Sequence, residues 1–144
     1  MLEILVLTDE PDHATYLSAV LQLELPGRFH VRQASGDGAR PGAAADLVLL
    51  LSEPGPTGDL GVLHGLAQGT GRPPVIVVAR GPIDLDSLGR LILDGAEDVI
   101  DMTRLTPRGL AAAVLKAVRR RRREPVLAGF TTGPWSHETA LAVS

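Results

Sequence analysis

ADLVLLLSEPG, residues 45–55, decides the fold. The aliphatic side chains of residues 47–51 offer no polar face, so a strand formed there is buried on both sides. Glu53, Pro54 and Gly55 then end it. Strands of this kind lie in the middle of parallel sheets whose two faces are covered by helices. Two other runs share the character: LEILVLT at 2–8, stopped by Asp9-Glu10-Pro11, and PVIVVA at 74–79, followed by Arg80-Gly81-Pro82.

Between these runs the period changes. From residue 12 to 25, Leu17, Val20, Leu21 and Leu25 fall on one helical face, and Pro26-Gly27 stops the helix. Phe29, Val31 and Gln33 alternate with His30 and Arg32, the pattern of a half-exposed edge strand. SGDGARPGAAA at 35–45 holds too much glycine and proline for a long helix. Helices are expected from about 59 to 68, carrying Leu60, Leu63 and Leu66, and over 83–94, ended by Gly95. EDVID at 97–101 reads as the second edge strand. Thr106 and Pro107 supply the cap and first-turn proline of a last helix, and Glu124-Pro125 is expected to end it. Five strands alternating with helices call for a parallel α/β sheet, whose functional crevice lies beyond the strand C-termini. That places Thr8, Asp9, Glu10, Leu51, Ser52, Glu53, Ala79, Arg80, Asp101 and Met102 around it.

Composition narrows the chemistry. The 144 residues are 44% apolar, enough for one core without staples. There is no cysteine, which excludes disulfides, thiolate metal sites and a cysteine nucleophile, and fits a reducing cytoplasm. MLEILVLTDE has no basic start, so it does not read as a signal peptide, and no apolar run is long enough to span a membrane. Thirteen arginines against one lysine, with abundant alanine, glycine and proline, point to a GC-rich bacterial source. The net charge of −3 is uneven: −7 over residues 1–115 and +4 over 116–144.

The blocks ILVLTDEPD (4–12), ADLVLLLSEPGPTGDLGVL (45–63), PVIVVAR (74–80) and GAEDVIDM (95–102), in this order and spacing, resemble the receiver domain of bacterial response regulators. The resemblance covers roughly residues 2–123. It implies a flavodoxin-like, doubly wound five-stranded sheet in the order 2-1-3-4-5, here with the helix between strands 2 and 3 shortened or absent. It divides the chain into a receiver-like domain, 1–123, and a tail or linker, 124–144, that packs back on the domain or leads to an output region. In the family an acidic pair holds a divalent cation, an aspartate ending strand 3 accepts a phosphoryl group, and a Ser/Thr and a lysine ending strands 4 and 5 read out that state. Carried over, the acidic pair becomes Thr8-Asp9, with Glu10 following. The acceptor becomes Leu51, the Ser/Thr becomes Ala79, the lysine Met102, and the aromatic switch residue Val99. A one-residue shift would bring in Ser52, but DLVLL aligns without gaps. Leu51 has no oxygen nucleophile, and one or two carboxylates make a poor site for a hard cation. Leu51, Ala79 and Met102 are expected to give the crevice an apolar floor.

These residues imply a pseudo-receiver: no enzyme, no cofactor, no metal, and signalling through surfaces. Leu85, Leu88, Leu91, Ile92 and Leu93 wrap further round the 83–94 helix than one buried face needs, so the candidate interface is Leu85, Leu88, Leu93, Val99, Arg119 and Arg120, for a protein partner or a homodimer through the 83–123 surface. One alternative is a small ligand in the apolar crevice. Another is a DNA-associated regulator acting through Arg119–Arg123, which the acidic body disfavours; the run reads more simply as cations at a helix C-terminus. The four histidines, His13, His30, His64 and His137, lie on different elements and form no metal pattern.

Overall fold

A computed structural model describes residues 1–34, 45–52, 63 and 72–131, the last eleven by their backbone. The expected helix at 59–68, the glycine-rich segment 35–44, Glu53, His64, His137 and the tail beyond residue 131 fall outside the described residues, except that Leu63 is helical and fully buried.

Five strands form one parallel sheet: β1 (Leu2–Leu7), β2 (Phe29–Ala34), β3 (Leu47–Ser52), β4 (Val75–Ala79) and β5 (Asp98–Asp101), in the spatial order β2-β1-β3-β4-β5. The sequence-based order is correct. Every residue of β3 and β4 is buried, as expected of runs with no polar face, whereas β2 and β5 are mostly half-covered or exposed. Alternate residues feed two cores. On one face Ile4, Val6, Leu47, Leu49, Leu51, Ile76 and Val78 pack with α1 (Pro11–Glu24) and α3 (Pro107–Thr131). On the other, Leu5, Leu7, Val48, Leu50, Val75 and Val77 meet Leu63 and Leu91, the latter on α2 (Leu85–Leu93).

The helix ends follow local chemistry. α1 starts at Pro11, whose missing N–H costs nothing in a first turn, and buries Ala14, Leu17, Val20 and Leu21. Gly27, at φ 68°, takes the left-handed turn that leads into β2. α2 begins two residues later than expected because Asp84 caps it, accepting from the Ser87 N–H at 2.8 Å. Thr106 caps α3 as expected, its hydroxyl accepting from the Gly109 N–H at 3.0 Å.

The end of the last helix also differs from the expectation. α3 runs through Pro125 to Thr131 instead of stopping at Glu124. Proline's fixed φ suits a helix, and it removes one hydrogen bond without stopping the good helix formers Leu127 and Ala128 from continuing. The arginine run therefore lies inside the helix, too far from its end to complement the dipole, which acts only over the last turn.

Candidate functional site

The strand C-termini converge as the sequence requires. Thr8 follows β1 and is buried, 4% exposed; its hydroxyl accepts from the Glu10 N–H at 3.1 Å, while its carbonyl accepts from Gln33 Nε2 at 2.6 Å. Those bonds fix the β1–α1 turn, leaving the Asp9 and Glu10 side chains outside it and exposed. Leu51, 4% exposed, points into the α1/α3 core, and Met102 packs against the same cluster. The parallel register sets Ser52, not Leu51, opposite Ala79, and Ser52 is itself buried. The Arg80 N–H donates to the Ser52 carbonyl at 3.0 Å. Asp101 caps the following turn, accepting from Thr103 Oγ1 at 2.7 Å and Thr103 N at 2.8 Å. The Thr103 hydroxyl first, and its N–H second, hold the Asp101 carboxyl below its ordinary pKa.

Across the crevice mouth Arg80 Nη1 lies 3.4 Å from Glu10 Oε1, and His13 Nε2 lies 3.5 Å from Glu10 Oε2. This ion pair joins the β1–α1 turn to the end of β4, over β3. Among the described residues, no three His, Asp or Glu side chains group as metal ligands.

A second region stands out on α2. Plotted at 100° per residue, Leu91, Leu88, Ile92, Leu85, Gly89 and Leu93 form a continuous apolar arc, while Asp86, Arg90, Asp94 and Ser87 occupy the remainder. Only the Leu91 end of the arc is buried. Leu85 is 83% and Leu93 88% exposed, Ile92 is exposed, and Leu88 is half-buried. A Cβ at Gly89, near the middle of the open part, would meet nothing. Val99 packs inward against the second core, and Arg120 is held by Glu97 Oε2 at 2.8 Å, with Arg119 exposed beside it.

No family model matches the chain, and no curated protein matches it. Solved structures do match. A response regulator receiver domain protein from Clostridium thermocellum is 21% identical over 85% of this chain and 98% of its own, with a TM-score of 0.65. The signal receiver domain of a protein assigned as a LuxO repressor, from Vibrio parahaemolyticus, is 19% identical over 87% and 95%, with a TM-score of 0.71. A protein assigned to pilus assembly in Burkholderia pseudomallei is 20% identical over 83% and 90%, with a TM-score of 0.67. The fold is that of response-regulator receiver domains.

The sequence reading expected Leu51, Ala79 and Met102 to give the crevice an apolar floor. Leu51 contributes to the core and not to a crevice floor. Sequence reasoning also missed the Glu10–Arg80 pair. Its only signal was the predicted strand order, which places β1 and β4 two strands apart, a gap that two long side chains can bridge.

Proposed function

We propose that this chain is a phosphorylation-independent pseudo-receiver: a regulatory module, not an enzyme, that works by binding protein in the cytoplasm, in bacterial two-component-type signalling. One observation carries the reading most: Leu51, next to last in β3, is an aliphatic side chain packed in the core at the position where the receiver resemblance calls for a phosphoacceptor. An acyl phosphate needs a carboxylate oxygen, and Leu51 has none. Thr8 stands for one acid of the metal-holding pair, and its hydroxyl is engaged with the Glu10 backbone. Ala79 and Met102 stand for the hydroxyl and the ammonium that would answer a phosphoryl charge. That the receiver fold also occurs in proteins assigned to pilus assembly, in Burkholderia pseudomallei and Sinorhizobium meliloti, agrees with a role beyond phosphorelay.

Incubation with acetyl phosphate, or with beryllofluoride and Mg²⁺, is expected to give no adduct by mass spectrometry and no saturable shift in the amide spectrum. A stoichiometric adduct would refute the reading.

The contact surface in this reading is the 83–123 surface, α2 with its neighbours β5 and α3, and its occupant is a second copy of the chain. Leu85, Ile92 and Leu93 expose an apolar stripe, and Gly89 leaves room for close approach by another helix. Arg119 and Arg120 supply a polar rim. Sedimentation should show a concentration-dependent dimer that Leu93→Arg abolishes without changing the circular dichroism. A parent chain that stays monomeric at high concentration would remove self-association and leave a different protein as the partner. The apolar-ligand alternative draws no support from Leu51, because that side chain is spent in the core.

A further inference from the structure

The backbone of the edge strand β2 has a defined outer side. The Leu2 and Thr8 amides donate to the Arg28 and Ala34 carbonyls, each at 2.9 Å, in a parallel register that sets Leu2 opposite Phe29. A strand residue directs its N–H and C=O to the same side, so the even-numbered residues of β2 face β1. Phe29, Val31 and Gln33 turn theirs to the outer edge, where no further strand lies among the described residues. β2 contains no proline, and its register with β1 runs unbroken over six pairs, so neither a proline nor a bulge blunts this edge. Beside it, on the α1 face of the sheet, runs a groove of about 570 Å³. Ala14, Thr15, Ser18 and Ala19 form one wall, and Val31 and Gln33 form the other.

We propose that β2 takes an extended segment of another protein as a sixth strand, one in which apolar and acidic residues alternate. The two-residue period of a strand sends every second side chain of the added segment into the groove. The alanine, serine, threonine and valine side chains there suit small or branched apolar residues. The intervening side chains lie on the opposite face, beside Arg28, His30 and Arg32, all exposed. Glu3 Oε1 engages His30 Nδ1 at 3.1 Å, so the two arginines set the charge that an incoming strand meets. On a body whose net charge is −7 over residues 1–115, this strip is cationic, and carboxylates opposite it make favourable cross-strand pairs. The same charges decide against a second copy. Antiparallel pairing centred on Val31 sets Arg32 across from His30, and in-register parallel pairing sets Arg32 against Arg32; like charges directly opposite destabilise. β2 and β5 lie at opposite ends of the sheet, so this edge is separate from the surface assigned above to self-association.

The probe is a blocked peptide as long as β2 in which valine and glutamate alternate, titrated against the full chain by fluorescence anisotropy and amide chemical shifts. Saturable binding is expected, with the largest shifts in β2 and along the groove wall of α1, and none on α2. A fully N-methylated counterpart keeps the side chains but has no donors for the edge, and should bind about tenfold more weakly or worse. A valine–lysine counterpart should lose a similar factor, and Arg32→Glu should reverse the order of the two charged peptides. Val31→Pro removes one outward N–H and none of those facing β1, so it should abolish binding with far-ultraviolet circular dichroism unchanged. If that variant fails to fold, the N-methylated peptide decides the same question. Absence of saturable binding by the valine–glutamate peptide at millimolar concentration overturns the proposal, as does equal affinity for the N-methylated or the lysine peptide. Shifts in β2 that grow with protein concentration alone also overturn it, because a second copy then holds the edge.

Discussion

Leu51 fixes both what this crevice lacks and what a repair would cost. A change to aspartate would restore the nominal acceptor, yet the side chain is buried beside Val6, Leu49 and Val78 in the α1/α3 core. Truncating such a leucine typically costs about 2–5 kcal/mol, and an uncompensated carboxylate adds desolvation to that loss. Leu51→Asp is therefore expected to lower the urea midpoint sharply and to gain no phosphoryl adduct; a stable, acetyl-phosphate-reactive variant would contradict the placement. A second residue-scale effect lies at the start of α3, where a Cβ on Gly109 would come within 2.8 Å of the Thr106 hydroxyl that caps the helix. Gly109→Ala should then forfeit the cap while gaining roughly 1 kcal/mol of helix propensity, for little net change. In a Thr106→Ala background the same substitution should stabilise by about 1 kcal/mol, since no cap remains to displace. Additive behaviour in denaturant titrations of this double-mutant cycle would rule that coupling out. The sequence singled out Leu51 and the Thr106 cap, but not Gly109. It could not show that Leu51 points inward, or that Ser52 is the residue set opposite Ala79, because strand register and side-chain direction depend on neighbouring strands.

Elements were legible where one physical signal dominated. β3 and β4 read directly from apolar runs, and α1 from its 3.6-residue spacing closed by Pro26-Gly27. The end of α3 was misjudged because Glu124-Pro125 looks like a stop in isolation, whereas the helix continues to Thr131. The start of α2 depended on one side chain, Asp84, and so does its pH response. The Ser87 N–H, followed by the Ser87 side chain, stabilises the Asp84 carboxylate and lowers its pKa below the ordinary 3.8. A depressed folded-state pKa means that the cap's contribution is present above about pH 4 and is lost as the pH falls through the lower folded value. The first turn of α2 is thus expected to loosen in acid, with the Ser87 amide losing exchange protection before the strands do. Asp84→Asn should flatten that dependence while keeping an acceptor for the cap. A Ser87 amide indifferent to pH in the parent chain would dispose of this account.

At the scale of the molecule, stability is distributed unevenly across the sheet. β1, β3 and β4 are paired on both edges and buried on both faces, and α1 and α3 seal one face with a continuous cluster. α2 is anchored far more lightly, with Leu91 its sole buried residue and most of its apolar arc in solvent. Local opening requires only that the contacts of the opening unit be lost, so its free energy follows the apolar area that the unit buries. Amide exchange should therefore rank β3 and β4 slowest, α1 and the first turns of α3 next, and α2 fastest of the regular elements. If α2 is the surface where two copies meet, its protection should also rise with protein concentration while that of β3 stays constant, since association stabilises only the state that presents the docked helix. Exchange in α2 as slow as in β3 would mean that its exposed leucines are not its weak point. Uniform concentration dependence across all elements would instead mean that folding and association are one event, with no separately opening helix for a partner to capture.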